Sequence, residues 1–169
     1  MFRKIVILLT AGIIAAQAAD PVEFGVGAFQ FERPEGWQWI VPSSAMRKAQ
    51  LNVPGQPEAA EVTFFHFGPG QGGGVQANVD RWFGQFQNGT NAQAREAVGQ
   101  TNVTFVEATG TFMSGMPGGP LTPKDGYALR GAILESPGGD VYVKMTGPAD
   151  VIIGASEAFA KMVRNAASR

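Results

Sequence analysis

Tyr127-Ala128-Leu129-Arg130-Gly131-Ala132-Ile133-Leu134-Glu135, Ser136-Pro137-Gly138-Gly139 and Asp140-Val141-Tyr142-Val143-Lys144-Met145-Thr146 read as two strands joined by a tight turn. The runs are rich in β-branched and aromatic residues, and the Pro-Gly-Gly insert is turn chemistry. Gly147-Pro148 ends the pair. Immediately after it, Val151, Ile152, Ala155, Phe159, Met162, Val163 and Ala166 recur at helical spacing and mark the inner face of a C-terminal helix. Lys161, Arg164 and Arg169 fall in or beyond its last turns, where cations suit the helix dipole. An antiparallel hairpin followed by an amphipathic helix argues against alternating βαβ units.

Moving upstream, Val103 to Glu107 continues as a strand through Thr111-Phe112-Met113, and Ser114 to Lys124 is a Pro- and Gly-rich loop. Glu61-Val62-Thr63-Phe64-Phe65-His66-Phe67 is a strand that becomes apolar on both faces, as a covered central strand does. A glycine-rich connector, Gly68 to Gly74, opens a helix expected from Val75 to about Gln87 with Val75, Val79, Trp82, Phe83 and Phe86 on one face. Asn88-Gly89 stops it, and polar Thr90 to Gln100 is expected as a short helix or an ordered loop. Met46 to Val53 is a strand or a helical turn leading into one. Val22 to Phe31 is a strand, Pro34-Glu35-Gly36 a turn, and Trp37 to Val41 a second short strand. The expectation is an α+β fold in which an antiparallel β-sheet is sandwiched between helices, one globular domain over residues 19–169.

The first 18 residues read as a signal peptide. Arg3 and Lys4 form a positive start, Ile5 to Ala16 is apolar, and Ala16-Gln17-Ala18 supplies the small residues of a cleavage site. The apolar run falls well short of the ~20 residues a spanning helix needs. The expected mature chain begins at Ala19 and is periplasmic or extracellular. Without Arg3 and Lys4, 14 acidic side chains outnumber the remaining 11 basic ones. That balance gives no general attraction to nucleic acid or anionic lipid.

Composition removes several chemistries. Zero Cys excludes disulfides, thiolate metal sites and a cysteine nucleophile, and the single His66 excludes sites built on two imidazoles. His66 with Glu61 or Asp80 is a weak ligand set, so no metal is expected. Gly68-x-Gly70-x-x-Gly73 matches a dinucleotide pattern between a strand and a helix. However, Pro69 lacks an N–H donor, and the acidic residue expected about 20 positions on at a second strand end is missing. The segment is read as a flexible connector, and no cofactor is called for. None of Ser43, Ser44, Ser114, Ser136 and Ser156 lies in a nucleophile-elbow pattern. Glu61, Glu107 and Glu135 sit near strand ends and read as solvated. Asn88-Gly89-Thr90 and Asn102-Val103-Thr104 fit glycosylation acceptors in a eukaryotic host.

Arg130 and Lys144 interrupt otherwise apolar strands, and Arg81 sits beside the inward-facing Trp82. With the hairpin closed at Pro137-Gly138, Lys144 faces Gly131, which leaves room for its stem. Arg81, Arg130 and Lys144 are therefore the candidate contacts for a small anionic ligand or a protein partner. The competing reading is stems lying along apolar surface with the charges in water.

Four segments carry a family resemblance: Phe29-x-Phe31-x-x-Pro34-x-Gly36-Trp37, Val62-x-Phe64-Phe65, Asn78-x-x-Arg81-Trp82-x-x-Gln85-Phe86 and Lys144-x-x-Gly147-Pro148. In this order the chain resembles the PsbP-like αβα-sandwich superfamily, which includes exported bacterial proteins of unclear role. The resemblance implies an antiparallel sheet between helices and a non-catalytic accessory or binding role. It carries no functional residue over. The expected function is that of an exported binding protein. The alternatives are an exported carboxylate-dependent hydrolase and a cell-envelope structural protein without a small ligand.

Overall fold

The computed structural model describes residues 20, 22–115 and 118–169. The segment read as a signal peptide, its cleavage site and the expected new terminus at Ala19 lie outside the described residues. In chain order the elements are β1 (Glu23–Val26), β2 (Phe29–Glu32), β3 (Gln38–Trp39), β4 (Arg47–Val53), β5 (Ala60–His66), α1 (Val75–Phe83), β6 (Phe86–Gln87), β7 (Asn91–Val98), β8 (Thr101–Ser114), β9 (Thr122–Leu134), β10 (Val141–Pro148) and α2 (Ala149–Ala167).

An eight-stranded antiparallel sheet runs β3-β4-β5-β10-β9-β8, with β6 and β7 both paired to the outer edge of the long β8. The β9–β10 hairpin sits in the middle in the expected register, with Lys144 opposite Gly131. Alternation along these strands sends side chains to two distinct cores. Val141, Val143 and Met145 face α2, with Ala128, Ala132 and Leu134 of β9. Tyr142, Leu129 and Ile133 face α1, packing on Val79 and Trp82. The helix on each face follows from that double covering, as the apolar runs required.

The remainder of the α2 face is covered by β1 and β2. Val22 to Phe31 was expected as one strand; it folds back at Gly27-Ala28 into a separate two-stranded hairpin. Alternate residues Phe24, Val26, Phe29 and Phe31 are all buried against the sheet. Gly27 makes the turn, with a φ of +57°. The strand expected over Trp37 to Val41 shrinks to two residues, and Ile40 and Val41 are exposed.

Two further expectations are corrected at the sheet's far edge. Thr90 to Gln100 is neither helix nor loop but holds β7, paired along eight residues of β8. Helix α1 ends at Phe83, about four residues early. Gly84 terminates it, the Met113 N–H donates to the Gln85 carbonyl at 2.8 Å, and Phe86 packs at a tilt against Phe112 with ring centres 5.2 Å apart. Pairing with β8 thus outcompetes another helical turn.

A nine-residue helix cannot cover its whole face of the sheet. Trp82 fills the space over Gly131, where a Cβ would stand 2.7 Å from the ring's Cε3. The room expected there for the Lys144 stem is occupied by indole. Gly131→Val is therefore expected to destabilise by about 1–3 kcal/mol through overpacking. A urea unfolding midpoint equal to wild type would show that the ring is not held there.

Candidate functional site

Beyond the C-terminal end of α1 the uncovered sheet face forms a cleft of about 450 Å³. Its floor is β10, where Lys144 and Thr146 point the same way. Its walls come from Arg47 of β4, Glu61 and Thr63 of β5, Phe112 of β8, and Lys124 and Tyr127 of β9, with Glu58 and Gln85 reaching in from connecting segments. Neighbouring strands β4, β5, β10 and β9 supply most of the polar groups, and their antiparallel order is what gathers them.

The walls are charge-paired. Arg47 donates to Glu61 at 2.6 Å, and Gln50 donates to the same oxygen at 2.8 Å. Lys124 donates to Glu58 at 2.8 Å, and the Tyr127 hydroxyl donates to the other Glu58 oxygen at 2.6 Å. The bond from Lys124, then that from Tyr127, holds the Glu58 carboxyl below its usual range. The bond to Glu58 raises the Lys124 ammonium, and burial, followed by the bond to Glu58, raises the Tyr127 hydroxyl.

Lys144 is different. Its ammonium donates to the amide oxygen of Gln85 and lies 5.3 Å from the centre of the Phe112 ring, a cation–π distance. Among the described residues no carboxylate pairs with it. Burial pushes its pKa down to about 8, with Glu61 opposing that shift and Arg47 adding to it. Thr146 lies two residues along, its hydroxyl buried without a hydrogen-bond partner among the described residues.

The three sequence candidates go to three places. Lys144 lies in the cleft. Arg130 alternates with it and projects to the α2 face, donating to Ser156 at 3.1 Å and lying 3.5 Å from Glu107. Arg81 is exposed on α1 and donates to Asn78 at 2.9 Å. The buried Asn78 in turn donates to the carbonyls of Gly72 and Gly74 at 2.7 Å each. The connector read as flexible is thus pinned by a side chain of the helix it opens. A side chain at Gly72 would also meet the Tyr142 hydroxyl at 2.8 Å, in a backbone conformation with φ of +90°. His66 and Glu61 occupy opposite faces of β5; His66 lies 3.3 Å from the Asp140 carbonyl, while Asp80 accepts from Gln76.

Sequence reasoning missed Arg47, Glu58, Lys124, Tyr127 and Gln85. The sequence places Lys124 at the end of a Pro- and Gly-rich loop, but β9 starts at Thr122 and carries it into the wall. The one available signal was Gln85 on the expected helix, three residues beyond Trp82 and adjacent to its early stop.

These layers and this strand order define an α+β protein of the PsbP-like fold, with a polar cleft opening beside the short helix. The solution structure of cyanobacterial PsbP (CyanoP) from Synechocystis sp. PCC 6803 is similar to this chain with a TM-score of 0.51 and 10% sequence identity, covering 90% of this chain and 96% of that one. No family model and no curated protein matches the sequence. Among the described residues, no helix is long and apolar enough to cross a membrane.

Proposed function

We propose that the protein is an exported, non-catalytic binding protein that holds a small anionic ligand in the Lys144 cleft. The observation that carries this reading is the Lys144 ammonium itself, enclosed in a concave polar site and lacking a carboxylate partner among the described residues. A buried cation is stabilised by an opposite charge, and here the pairing group is left to a ligand. The signal-like first segment supports export.

The two alternatives are weaker. Carboxylate-dependent hydrolysis needs a protonated carboxyl and a free base at the reacting bond. Glu58 and Glu61 both line the cleft, but Glu58 is held ionised by two donors and Glu61 is engaged by Arg47 and Gln50. A purely structural envelope protein does not account for a concave site lined by five ionisable side chains other than tyrosine.

Equilibrium dialysis against a defined mixture of small carboxylates, phosphate esters and sulfonates tests the reading. The wild-type protein is expected to retain at least one class at pH 7, and Lys144→Met to retain none. Retention of no anion, or equal retention by folded Lys144→Met, would refute it.

A further inference from the structure

The charge balance of the cleft narrows the class of ligand. Three cations, Arg47, Lys124 and Lys144, meet two carboxylates, Glu58 and Glu61. Four of these five neutralise one another in close pairs. One positive charge is left over, and it belongs to Lys144. A ligand with one negative charge brings the site to neutrality. A dianion such as a phosphate monoester would overshoot it, placing its second charge beside Glu58 and Glu61 in a partly dehydrated space where like charges repel strongly.

The immediate surroundings of the ammonium are asymmetric. Gln85 takes one of its three N–H donors and the Phe112 ring flanks another side. The remaining donor capacity suits a carboxylate, and the ring supplies an apolar wall for the body attached to it. Thr146, two residues along, holds a buried hydroxyl without a hydrogen-bond partner among the described residues.

We propose that the cleft takes an organic monocarboxylate, its charge on the Lys144 ammonium and its apolar body along Phe112. This rests on the anion-binding reading above and deepens it. The groups facing Lys144 from each packed element are Arg47 of β4, Glu58 just before β5, Glu61 of β5, and Lys124 and Tyr127 of β9. Among the described residues, the Gln85 turn and the β8 wall present no ionisable group to it. Glu58 stays ionised and Lys124 and Tyr127 stay protonated around neutral and mildly alkaline pH, given the directions in which each is held. Lys144, held down to about 8, titrates in that range, and a carboxylate requires it charged.

Titration calorimetry with benzoate, and separately with inorganic phosphate, tests the proposal on the full chain. Benzoate is expected to bind at pH 7 and to weaken about 30-fold by pH 9.5, as a lysine with a pKa of about 8 loses its proton. At pH 9 the heat in two buffers of different ionisation enthalpy should report uptake approaching one proton per benzoate bound. Lys144→Met should abolish binding, and Arg130→Ala, on the opposite sheet face, should leave it intact. Phosphate binding that depends on Lys144, with no benzoate binding, would overturn the monocarboxylate assignment and leave the broader anion reading standing. Binding of neither, or benzoate binding that survives Lys144→Met, would overturn both. Benzoate affinity that is flat from pH 7 to 9.5 would also overturn the proposal.

Discussion

Phe64→Ala is expected to lower the unfolding free energy by about 3–5 kcal/mol, the cost of removing a fully buried aromatic ring from a core that collapses only partly. Phe64 is completely buried on β5 and faces the β1–β2 hairpin. Its ring centre lies 5.1 Å from those of both Phe24 and Phe31, in edge-on geometries. The same side chain thus closes the sheet and anchors a hairpin that, among the described residues, pairs with no other strand. A two-stranded hairpin is marginal by itself, so its order depends on this contact. At about 2–4 °C per kcal/mol for a chain of this size, the melting temperature should fall by roughly 6–20 °C. Ile153→Ala, at a site 59% exposed on α2, should change stability by no more than about 0.5 kcal/mol. Guanidinium unfolding of the two variants side by side gives the comparison. Equal losses would mean that the hairpin is not seated on Phe64.

The elements legible in the sequence were those whose pattern reflects burial. The β9–β10 hairpin, β5 and the inner face of α2 each carry apolar residues at the period of their own structure, because both faces or one stripe are covered. Strand β7 was illegible for the opposite reason. Its sequence, Asn91-Ala92-Gln93-Ala94-Arg95-Glu96-Ala97-Val98, is largely exposed on both faces, so no alternation is imposed on it. What makes it a strand is a partner. Its backbone pairs with β8, Arg95 reaches Glu135 at 2.7 Å, and Glu96 accepts from Arg164 of α2 at 2.7 Å. The overlong reading of α1 had a related cause. Phe86 fits the helical stripe at its sequence spacing, yet it is used in a strand against Phe112. Periodicity reports which side chains are buried, and it does not distinguish two ways of burying one ring at the end of an element.

Of the three sequence candidates, Lys144 alone lies in the candidate cleft. Lys144 stood out because a cation between Val143 and Met145 breaks an apolar run, and such a break in a central strand requires an outlet. Arg130 breaks its strand in the same way but finds its outlet inside the fold, at Ser156 and Glu107. The difference between the two is set by α2 lying over one face and α1 stopping short on the other. No local pattern encodes that. The cleft walls were invisible for a further reason: Glu58 and Lys124 are 66 residues apart and meet only through the strand order β5-β10-β9.

Lys144→Met is expected to make the protein more stable, by about 1–3 kcal/mol at pH 7, because it removes a largely dehydrated charge with which no carboxylate pairs among the described residues. The upper end follows from the pKa. An unfolded lysine holds its proton to about 10.4, whereas folded Lys144 releases it near 8, a difference of roughly 3 kcal/mol between the two protonation states. Below pH 8 both states are protonated and the folded protein bears the whole penalty. Between pH 8 and about 10.4 the unfolded state binds more protons than the folded one, so wild-type stability gains with rising pH from this group. The methionine variant has no such group. The stability gap between variant and wild type should therefore be widest at and below pH 7 and should narrow steadily to pH 10. Burial raises the hydroxyl pKa values of Tyr127 and Tyr142, so these groups act in the opposite direction above pH 10; present in both proteins, they largely cancel in the difference. The cation–π contact with Phe112 and the bond to Gln85 are what the variant forfeits, and both are too weak to offset the desolvation of a full charge. Benzoate at pH 7 should raise the melting temperature of wild type and leave that of the variant unchanged. A variant less stable than wild type at pH 7, or a gap that does not change with pH, would show that the ammonium is already neutralised within the fold, and the case for a ligand in the cleft would fall with it.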